Sequence, residues 1–288
     1  MAVKTWALAA RPKTLIASLS PILIGTTVAW KDGSLSPWVF LFTLLTGLGI
    51  QVSTNFINDL YDFLKGADTS ARKGPVRVTQ SGLMSVAEVK KATLCLVGLT
   101  ALCGSLLIAR GGLVIALLLP LALLFAYAYT AGPYPLAYLG LAEIFVLIFF
   151  GPVAAGCTYY LQTLTWSLLP FLFGLSPGLI SCSLLVVNNL RDVTEDIDAK
   201  KKTLVARFGI RFGKIEYGLA LFLACFLPFL FAPKPPLLLP LLICIAPAYS
   251  LALAVARNDD PFAYNPLLGK TGKFLSLYTF IFCLAYIL

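Results

Sequence analysis

The sequence predicts an all-α integral membrane protein in which about nine transmembrane helices form a single bundle. Of its 288 residues, 59% are apolar and only 12% are charged, whereas about a quarter of the residues of a soluble domain are charged. Apolar segments long enough to cross about 30 Å of hydrocarbon recur along the whole chain. In addition, lysine and arginine are concentrated in every second connecting segment, as in proteins that cross a bilayer repeatedly.

Nine segments have the length and composition of membrane spans, and together they form one predicted domain, residues 1–288. They are residues 14–30, 36–57, 91–109, 112–129, 139–161, 168–190, 217–232, 237–256 and 271–288. The first of them contains Pro21 and is followed by no small-residue cleavage site. We therefore interpret it as a retained span and not as a signal peptide.

The distribution of basic residues predicts the orientation of the chain in the membrane. If the N-terminus is cytoplasmic, the inside segments hold nineteen of the 22 lysines and arginines, and the outer side keeps only Lys31, Arg110 and Lys234. This bias follows the positive-inside rule. The net charge of +9 therefore reflects membrane topology. We expect a lipid bilayer as the surrounding partner and no nucleic acid.

The residue types that are missing exclude several kinds of enzyme. The chain has no histidine, which excludes Ser–His and Cys–His catalysis, haem ligation by histidine and the usual zinc enzymes. Its seven cysteines all fall inside predicted spans and form no C-x-x-C pair. We interpret them as small packing residues.

Acidic residues are concentrated in two connecting regions, since nine of the thirteen lie in residues 58–90 and 191–216. Four spans separate these regions, so both emerge on the same face of the membrane. The motif regions 58–82 and 188–214 also match at an offset of 130 residues. The matching pairs are Asn58 and Asn188, Asp62 and Asp192, Asp68 and Asp198, and Arg77 and Arg207. The two regions are either halves of an internal repeat or unrelated loops.

The spacing within each motif predicts a metal site. If the helices continue past the membrane surface, Asn58 and Asp62 share one face, and Asn188, Asp192 and Asp196 share another. Such oxygen ligands suit Mg²⁺, which usually binds one or two carboxylates together with phosphate oxygens and water. Neighbouring basic side chains would neutralise a diphosphate. The alternative is that the loop charges are only solvated and that the asparagines cap helix ends.

Three stretches carry a resemblance to a known family. They are Arg11-Pro-Lys-Thr before the first span, residues 58–82 with KGAD and GPVRVTQSG, and Asn188-Asn-Leu-Arg-Asp onward. Together they resemble the UbiA superfamily of intramembrane prenyltransferases, and within it the menaquinone-pathway 1,4-dihydroxy-2-naphthoate polyprenyltransferases. The resemblance implies a nine-helix bundle around a central cavity that is open toward lipid and capped by the two aspartate loops. It also implies Mg²⁺-dependent transfer of a polyprenyl group from its diphosphate to an aromatic acceptor, in a bacterial inner membrane with the site toward the cytoplasm.

The resemblance also assigns residues at the diphosphate end of the site. The metal-site pattern falls on Asn58, Asp62, Asp68, Asn188, Asp192 and Asp196. Lys65, Arg72 and Arg77 match positions associated with the diphosphate, and we count Lys65 with Asp62, Asp192 and Asp196 as catalytic. One departure is the turn TAGPYPLAYLG, which lacks the basic residue often found there in relatives; Tyr134 is its weak substitute.

The acceptor end of the site is less well determined by sequence. A ring carboxylate must be paired with cations or donors, and we expect Arg11, Lys13 or Arg77 to do this. Glu143 is an acid inside a span, so it either takes the acceptor's proton or pairs with a neighbouring group. The aromatic residues Phe149, Phe150, Tyr159 and Tyr160 are candidates for the cavity wall.

Other functions remain open at the sequence level. The acceptor is 1,4-dihydroxy-2-naphthoate, its 6-carboxy isomer, 4-hydroxybenzoate, haem or a chlorophyllide. A secondary transporter is the alternative of a different class, but transporter sites lie near the membrane midplane. Here the acids lie at the predicted membrane surface, and the spans are nearly free of ionisable groups.

Overall fold

A computed structural model describes residues 3–68, 72–232 and 234–288, so residues 69–71 of the first motif region lie outside the described residues. The described chain is helical and contains no strand. Its first helices are α1 (Val3–Ala10), α2 (Leu15–Lys31), α3 (Pro37–Leu64), α4 (Val86–Ala128), α5 (Leu136–Leu139), α6 (Ala142–Phe149) and α7 (Pro152–Thr163). They are followed by α8 (Leu168–Arg191), α9 (Val193–Asp198), α10 (Leu204–Phe208), α11 (Ile210–Phe231), α12 (Ile245–Ala256) and α13 (Tyr264–Ile287). Short 3₁₀ helices cover Pro12–Thr14, Pro235–Cys244 and Pro261–Ala263.

The predicted all-α membrane architecture is confirmed, because eight helical segments of the described chain are long and apolar enough to cross a bilayer. One of them, α4, has 43 residues and would be about 65 Å long if it were straight, twice the thickness of the hydrocarbon layer. Gly112 interrupts it with φ 61° and ψ −147°, a conformation that glycine adopts readily. A Cβ on Gly104 would lie 2.4 Å from the Leu119 side chain, so the two arms fold back on each other. The hairpin contains both spans predicted at 91–109 and 112–129, and eight segments thus correspond to about nine crossings.

Several helices begin or end outside the predicted spans. Helix α3 runs to Leu64, seven residues past the predicted end at 57, and α11 and α13 each begin seven residues before the predicted starts at 217 and 271. The added turns of α11 and α13 carry Lys214 and Lys270, whose long side chains can reach water from a helix end. The ammonium group of Lys214 also donates to Ala256 O at 3.1 Å and to the exposed Asp259 at 2.9 Å, at the end of the neighbouring helix α12. The predicted fifth span is broken between α6 and α7.

Helix α8 is the central element of the packed core. It contacts α2, α7, α11 and α13, and it buries Phe173, Ile180, Val186 and Val187 completely. All seven cysteines are free, which agrees with their interpretation as packing residues. The packing of α8 leaves one of its faces turned toward a cavity, and α3 contributes the facing wall.

Candidate active site

A cavity of about 600 Å³ lies inside the bundle, between α2, α3, α4, α7 and α8. Most of its wall is apolar, including Leu107, Ile115 and Leu119. Three phenylalanines, Phe125, Phe145 and Phe149, form a cluster on the wall with ring centroids 4.8–6.1 Å apart. The two motif regions meet at one end of this cavity, which we call the loop end. The cavity therefore combines a long apolar interior with a charged mouth.

The first motif places Asn58 and Asp62 on the same face of α3, and both line the cavity. Asp62 is only 1% exposed. Its Oδ1 accepts a hydrogen bond from the Tyr138 hydroxyl at 3.0 Å and lies 3.1 Å from Lys201 Nζ. The Asn58 Oδ1 accepts from Arg11 Nη2 at 3.2 Å. Both oxygens thus already face cationic or polar donors.

Asp68 lies behind the cavity wall and not on it. After α3 ends, the backbone N–H groups of Ala67 and Asp68 donate to the Asp62 carbonyl at 2.9 and 3.4 Å, so the chain turns back. The buried Asp68 carboxylate forms ion pairs with Arg72 and, at 3.3 Å, with Arg77 Nε. Burial raises the Asp68 pKa to about 6 and outweighs the opposing effect of the Arg72 guanidinium. The structure thus makes Asp68 a support for the two arginines, which themselves line the cavity.

The second motif keeps its three oxygen-bearing side chains in one column. Helix α8 ends at Arg191 and α9 begins at Val193, yet Asp192 N donates to Asn188 O at 2.9 Å and Asp196 N donates to Asp192 O at 2.8 Å. Because these i to i−4 bonds continue across the junction, Asn188, Asp192 and Asp196 share a face, and all three line the cavity.

The carboxylates of this column differ in their partners. Arg191, 2% exposed, donates to both oxygens of Asp192 at 2.6 and 2.7 Å and to Asn265 Oδ1 at 3.0 Å. Within the residues that the structure describes, the Asp196 side chain has neither a hydrogen bond nor an ion pair. Burial raises the Asp196 pKa to about 7. Asp196 is thus a buried acid that forms no direct ion pair with any described residue.

The two loops contact each other directly at the loop end of the cavity. Lys201 of the second loop pairs with Asp62 of the first, and Arg72 Nη2 lies 3.6 Å from Asp192 Oδ2. The backbone N–H of Lys73 donates to Glu195 at 3.0 Å, and its Nζ donates to the Thr194 hydroxyl at 2.8 Å. The two Asn–Asp columns therefore face one another across the cavity mouth.

Asp59 has a structural role that the sequence reasoning missed. It is 2% exposed and accepts three hydrogen bonds, from Val78 N at 3.1 Å, Thr79 N at 2.9 Å and the Thr79 hydroxyl at 2.5 Å. These bonds fasten residues 78–79 to α3, which directs the preceding side chain of Arg77 toward Asp68. The sequence does contain a signal for this role. Asp59 follows Asn58 directly, so its side chain points to a different face of α3 from Asn58 and Asp62.

The structure corrects the expectations for Lys65 and Tyr134. Lys65 does not line the cavity, because its Nζ donates to the carbonyls of Thr130 at 2.8 Å and Gly132 at 3.4 Å, and burial lowers its pKa. Tyr134 is 77% exposed and also lies off the wall. Their places beside Asp62 are taken by Lys201 and Tyr138. The Tyr138 ring lies between Lys65 Nζ at 4.8 Å and Lys201 Nζ at 4.9 Å from its centroid.

Glu143 and two of the four aromatic candidates also lie off the cavity wall. Glu143 is 6% exposed and accepts a hydrogen bond from Asn189 Nδ2 at 2.9 Å. Tyr159 donates to Asp32 and Tyr160 to the Gly111 carbonyl. Phe149 and Phe150 do line the cavity. Glu143 thus has the pairing role that was the alternative to proton transfer.

The three basic candidates for the acceptor carboxylate have different surroundings. Arg77 is 7% exposed and faces Asp68 at 3.3 Å and Asp62 at 3.9 Å. Arg11 instead donates to Asn58 Oδ1 and to the Asn55 carbonyl, and its backbone has a left-handed φ of 51°, which is uncommon for a residue with a side chain. Lys13 is exposed on the cavity wall. Of these three, Arg77 is thus the one that pairs with carboxylates of the first motif, Asp62 and Asp68.

The donor set suits Mg²⁺ that is shared with a diphosphate. Asp62, Asp192 and Asp196 supply carboxylates on the wall, and Asn58 and Asn188 supply amide oxygens. Among the described residues, no three His, Cys, Asp or Glu side chains are close enough to form a metal-binding group of their own. Mg²⁺ does not need such a group, because it usually takes one or two carboxylates and completes its shell with phosphate and water. The buried carboxylate of Asp196, which forms no ion pair with a described residue, is a suitable ligand for such a cation.

Sequence comparison finds one matching family and several similar proteins. The sequence model described as "UbiA prenyltransferase family" matches residues 18–265. A protein of Haemophilus influenzae named 1,4-dihydroxy-2-naphthoate octaprenyltransferase is 34% identical over 98% of this chain and 95% of its own length. The Escherichia coli protein of the same name is 34% identical over 98% of this chain and 94% of its own.

Solved structures show the same fold. A UbiA homologue from Archaeoglobus fulgidus bound to GPP and Mg²⁺ superposes with a TM-score of 0.66, covering 98% of this chain and 99% of that one, at 17% identity. The apo structure of a UbiA homologue from Aeropyrum pernix K1 gives a TM-score of 0.68 over 95% and 96% of the two chains, at 14% identity.

Proposed function

The chain belongs to the UbiA prenyltransferase family, and from this premise we propose that it transfers a polyprenyl group from polyprenyl diphosphate to 1,4-dihydroxy-2-naphthoate, in menaquinone biosynthesis. It is a multi-pass membrane enzyme. The observation that carries the proposal is the pair of facing Asn–Asp columns at the mouth of an apolar cavity. Relatives that match nearly the whole chain and are named for the naphthoate reaction support the choice of acceptor.

The loop end is the place for the diphosphate. Mg²⁺ would be held by Asp62, Asp192 and Asp196 with the amide oxygens of Asn58 and Asn188, and when bound it supplies positive charge that stabilises the departing diphosphate. The chain's own cations add to this effect. Arg72, Arg77 and Lys201 now pair with motif carboxylates. A bound metal ion would compensate those carboxylates and leave the three cations free to bind phosphate oxygens.

The apolar interior is the place for the polyprenyl chain and the reacting carbon. Breaking the allylic C–O bond leaves the electron pair on the diphosphate and a carbocation on the prenyl group, which water would quench. Leu107, Ile115 and Leu119 line the cavity and offer water no hydrogen-bonding partner. The cluster of Phe125, Phe145 and Phe149 offers ring faces, which attract positive charge.

The acceptor ring then attacks through the carbon that bears its carboxylate. A C–C bond forms to the prenyl carbon, and the carboxylate leaves as CO₂, returning its electron pair to the ring. This substitution releases no proton, so it needs no general base. Glu143 lies behind the cavity wall, which is consistent with a reaction that needs no proton acceptor. We assign the recognition of the carboxylate to Arg11 and Lys13, because Arg77 lies beside Asp62 and Asp68 at the diphosphate end, where it would bind phosphate.

We further propose that the enzyme lies in a bacterial inner membrane with the loop end toward the cytoplasm, where nineteen of the 22 basic residues would then lie. The reaction is tested with purified enzyme, several prenyl diphosphates and three acids: 1,4-dihydroxy-2-naphthoate, 1,4-dihydroxy-6-naphthoate and 4-hydroxybenzoate. We expect a product mass that shows the added prenyl group and the loss of CO₂ with the first acid, and no turnover in excess EDTA. Prenylation of only 4-hydroxybenzoate, or full turnover in EDTA, would overturn the assignment.

A further inference from the structure

Glu143 is an acid in the interior of the bundle for which the proposed reaction has no proton to move. It lies in the first turn of α6, is 6% exposed and is not part of the cavity wall. Its Oε1 accepts a hydrogen bond from Asn189 Nδ2 at 2.9 Å, and its backbone carbonyl lies 3.2 Å from Cys182 Sγ. Both partners belong to α8. Glu143 therefore acts on a residue of the helix that carries the second motif.

The hydrogen bond to Glu143 fixes the direction of the Asn189 carboxamide. A carboxylate only accepts hydrogen bonds, so the amide nitrogen of Asn189 is held toward Glu143, away from the cavity. Asn189 itself lines the cavity. Among the described residues its Oδ1 accepts no hydrogen bond, and this oxygen is not enclosed by protein. The oxygen is thus presented to the cavity as an acceptor.

The location of this oxygen suits the aromatic substrate. Asn189 precedes Asp192 by three residues, so it lies about 4.5 Å deeper along the helix than the aspartate of the metal site. An acceptor ring that reacts with a prenyl group must lie next to the diphosphate and one step further inside. A ring hydroxyl is the only hydrogen-bond donor that 1,4-dihydroxy-2-naphthoate offers to a carbonyl oxygen. Its 1-hydroxyl is next to the ring carboxylate and bonds to it internally, which leaves the 4-hydroxyl free.

We propose that Asn189 accepts a hydrogen bond from the hydroxyl of the acceptor that is remote from its carboxylate, and that Glu143 is the positioning residue that keeps the Asn189 oxygen turned into the cavity. This proposal rests on the proposed function. With the carboxylate at Arg11 and Lys13, the second contact fixes the rotation of the ring in its plane. It therefore selects arenecarboxylates that carry a hydroxyl meta to the carboxylate, as C4 of 1,4-dihydroxy-2-naphthoate does.

The test compares inhibition constants of three acids that compete with the natural acceptor: 4-hydroxy-2-naphthoate, 1-hydroxy-2-naphthoate and 2-naphthoate. In the unaltered enzyme, the 4-hydroxyl should tighten binding about 10-fold relative to 2-naphthoate, the scale of one buried hydrogen bond. The 1-hydroxyl should have a smaller effect. Because the measurement is a ratio on one preparation, a loss of folded enzyme cancels out.

Four variants then separate the proposal from a merely structural role. Asn189→Ala, or Asn189→Ser if the first is too unstable, should reduce the 4-hydroxyl ratio to about 1 and leave the KM of prenyl diphosphate unchanged. Glu143→Ala should do the same, whereas Glu143→Gln should keep the ratio, because the glutamine Oε1 still accepts from Asn189. Ser181→Ala is the matched control. Ser181 is also buried on the cavity wall of α8, and its hydroxyl has no partner among the described residues.

Two results would overturn the proposal. One is a 4-hydroxyl ratio near 1 in the unaltered enzyme, and the other is an unchanged ratio in the Asn189 variants. An unaltered enzyme that neither prenylates nor binds any of the naphthoates would instead refute the proposed function, and this proposal with it. Since the product assay and the inhibition ratio are separate measurements, the two failures are distinguishable.

Discussion

Lowering the pH from 8 to 6 should weaken divalent-metal binding at the loop end by about 10-fold. The group responsible is Asp196, whose pKa burial raises to about 7 and whose carboxylate has no ion pair among the described residues. A metal ion binds only the deprotonated carboxylate. At pH 6 the competition with protons divides the apparent affinity by about 11, and at pH 8 by about 1.1, which gives the ratio of about 10. Metal affinity is thus lost mainly as the pH falls below about 7, the raised pKa of Asp196.

The measurement is Mn²⁺ binding to the purified enzyme by electron paramagnetic resonance. Diphosphate is left out, because it titrates in the same range. The control is Asp196→Asn, which cannot be protonated. This variant should bind Mn²⁺ more weakly at pH 8 and lose much less than 10-fold on acidification. Asp68, with a pKa raised to about 6, lies behind the wall and should contribute little above pH 6. A wild-type affinity that changes less than about 2-fold between pH 8 and pH 6 would refute the reasoning.

Three further predictions concern the site and its orientation. Asp62→Asn and Asp192→Asn should each lower kcat by at least about 100-fold, the effect of losing one key electrostatic contact. Asparagine is chosen because alanine at position 192 would leave the buried Arg191 guanidinium without its main acceptor. If more than a tenth of the activity remained, the two aspartates would not have the proposed role in diphosphate departure. Arg11→Ala should raise the KM of the naphthoate more than that of the prenyl diphosphate, and Arg77→Ala should do the reverse, so steady-state kinetics with each substrate varied in turn decides between them. The orientation is tested with single cysteines in a variant without the native ones. Val76→Cys and Lys202→Cys should react with a membrane-impermeant thiol reagent only from the cytoplasmic side, and Lys234→Cys only from outside. Labelling of the first two from opposite sides would disprove a site shared by the two loops.

The fold class was predictable because it depends on local composition. Twenty consecutive apolar residues predict a spanning helix regardless of what they pack against. The boundaries were less predictable. The arms of α4 lie so close in sequence that only Gly111 and Gly112 indicate where the chain turns back. The extra turns at the starts of α11 and α13 contain lysines, which suggested loops, although a lysine near a helix end reaches water without breaking the helix.

In the site, what could be predicted was the local part. The i, i+4 spacing places Asn58 with Asp62 on one helix face, and the same rule places Asn188 with Asp192. What could not be predicted was which cation or ring from elsewhere would lie against them. Lys65 and Lys201 are the same residue type, and only the tertiary fold directs one to the Thr130 carbonyl and the other to Asp62.

The choice between Tyr134 and Tyr138 is another long-range effect. Both tyrosines lie in the turn between α4 and α6. The backbone N–H of Lys202 donates to the Tyr138 carbonyl at 3.1 Å, which draws this part of the turn onto the second loop. The ring of Tyr138 then lies between two lysines and its hydroxyl reaches Asp62. No spacing within the turn encodes this contact, because its partner is more than sixty residues away in sequence.

The internal match at an offset of 130 residues holds for the first two positions of each motif and fails after them. Asp198, the counterpart of Asp68, is exposed, and the third acid on the second column is Asp196. The cause is how each helix ends. Across the α8–α9 junction the helical bonds continue, so the residue four positions after Asp192 returns to the same face. After α3 the chain reverses at Gly66, which has a φ of 72°, and the residue six positions after Asp62 is brought back instead.

The different helix endings also give the two loops different electrostatic roles. The reversed chain encloses Asp68 with Arg72 and Arg77, so the third acid of the first motif orients cations toward the cavity. The continuing helix leaves Asp196 on the wall without a cation of its own among the described residues. A diphosphate bound between the loops would therefore meet arginines mainly from the first motif. From the second motif it would meet a carboxylate that is available to a metal ion. Two identical motifs would lack this division, and in the proposed function the asymmetry would let one mouth bind both an anion and the cation that neutralises it.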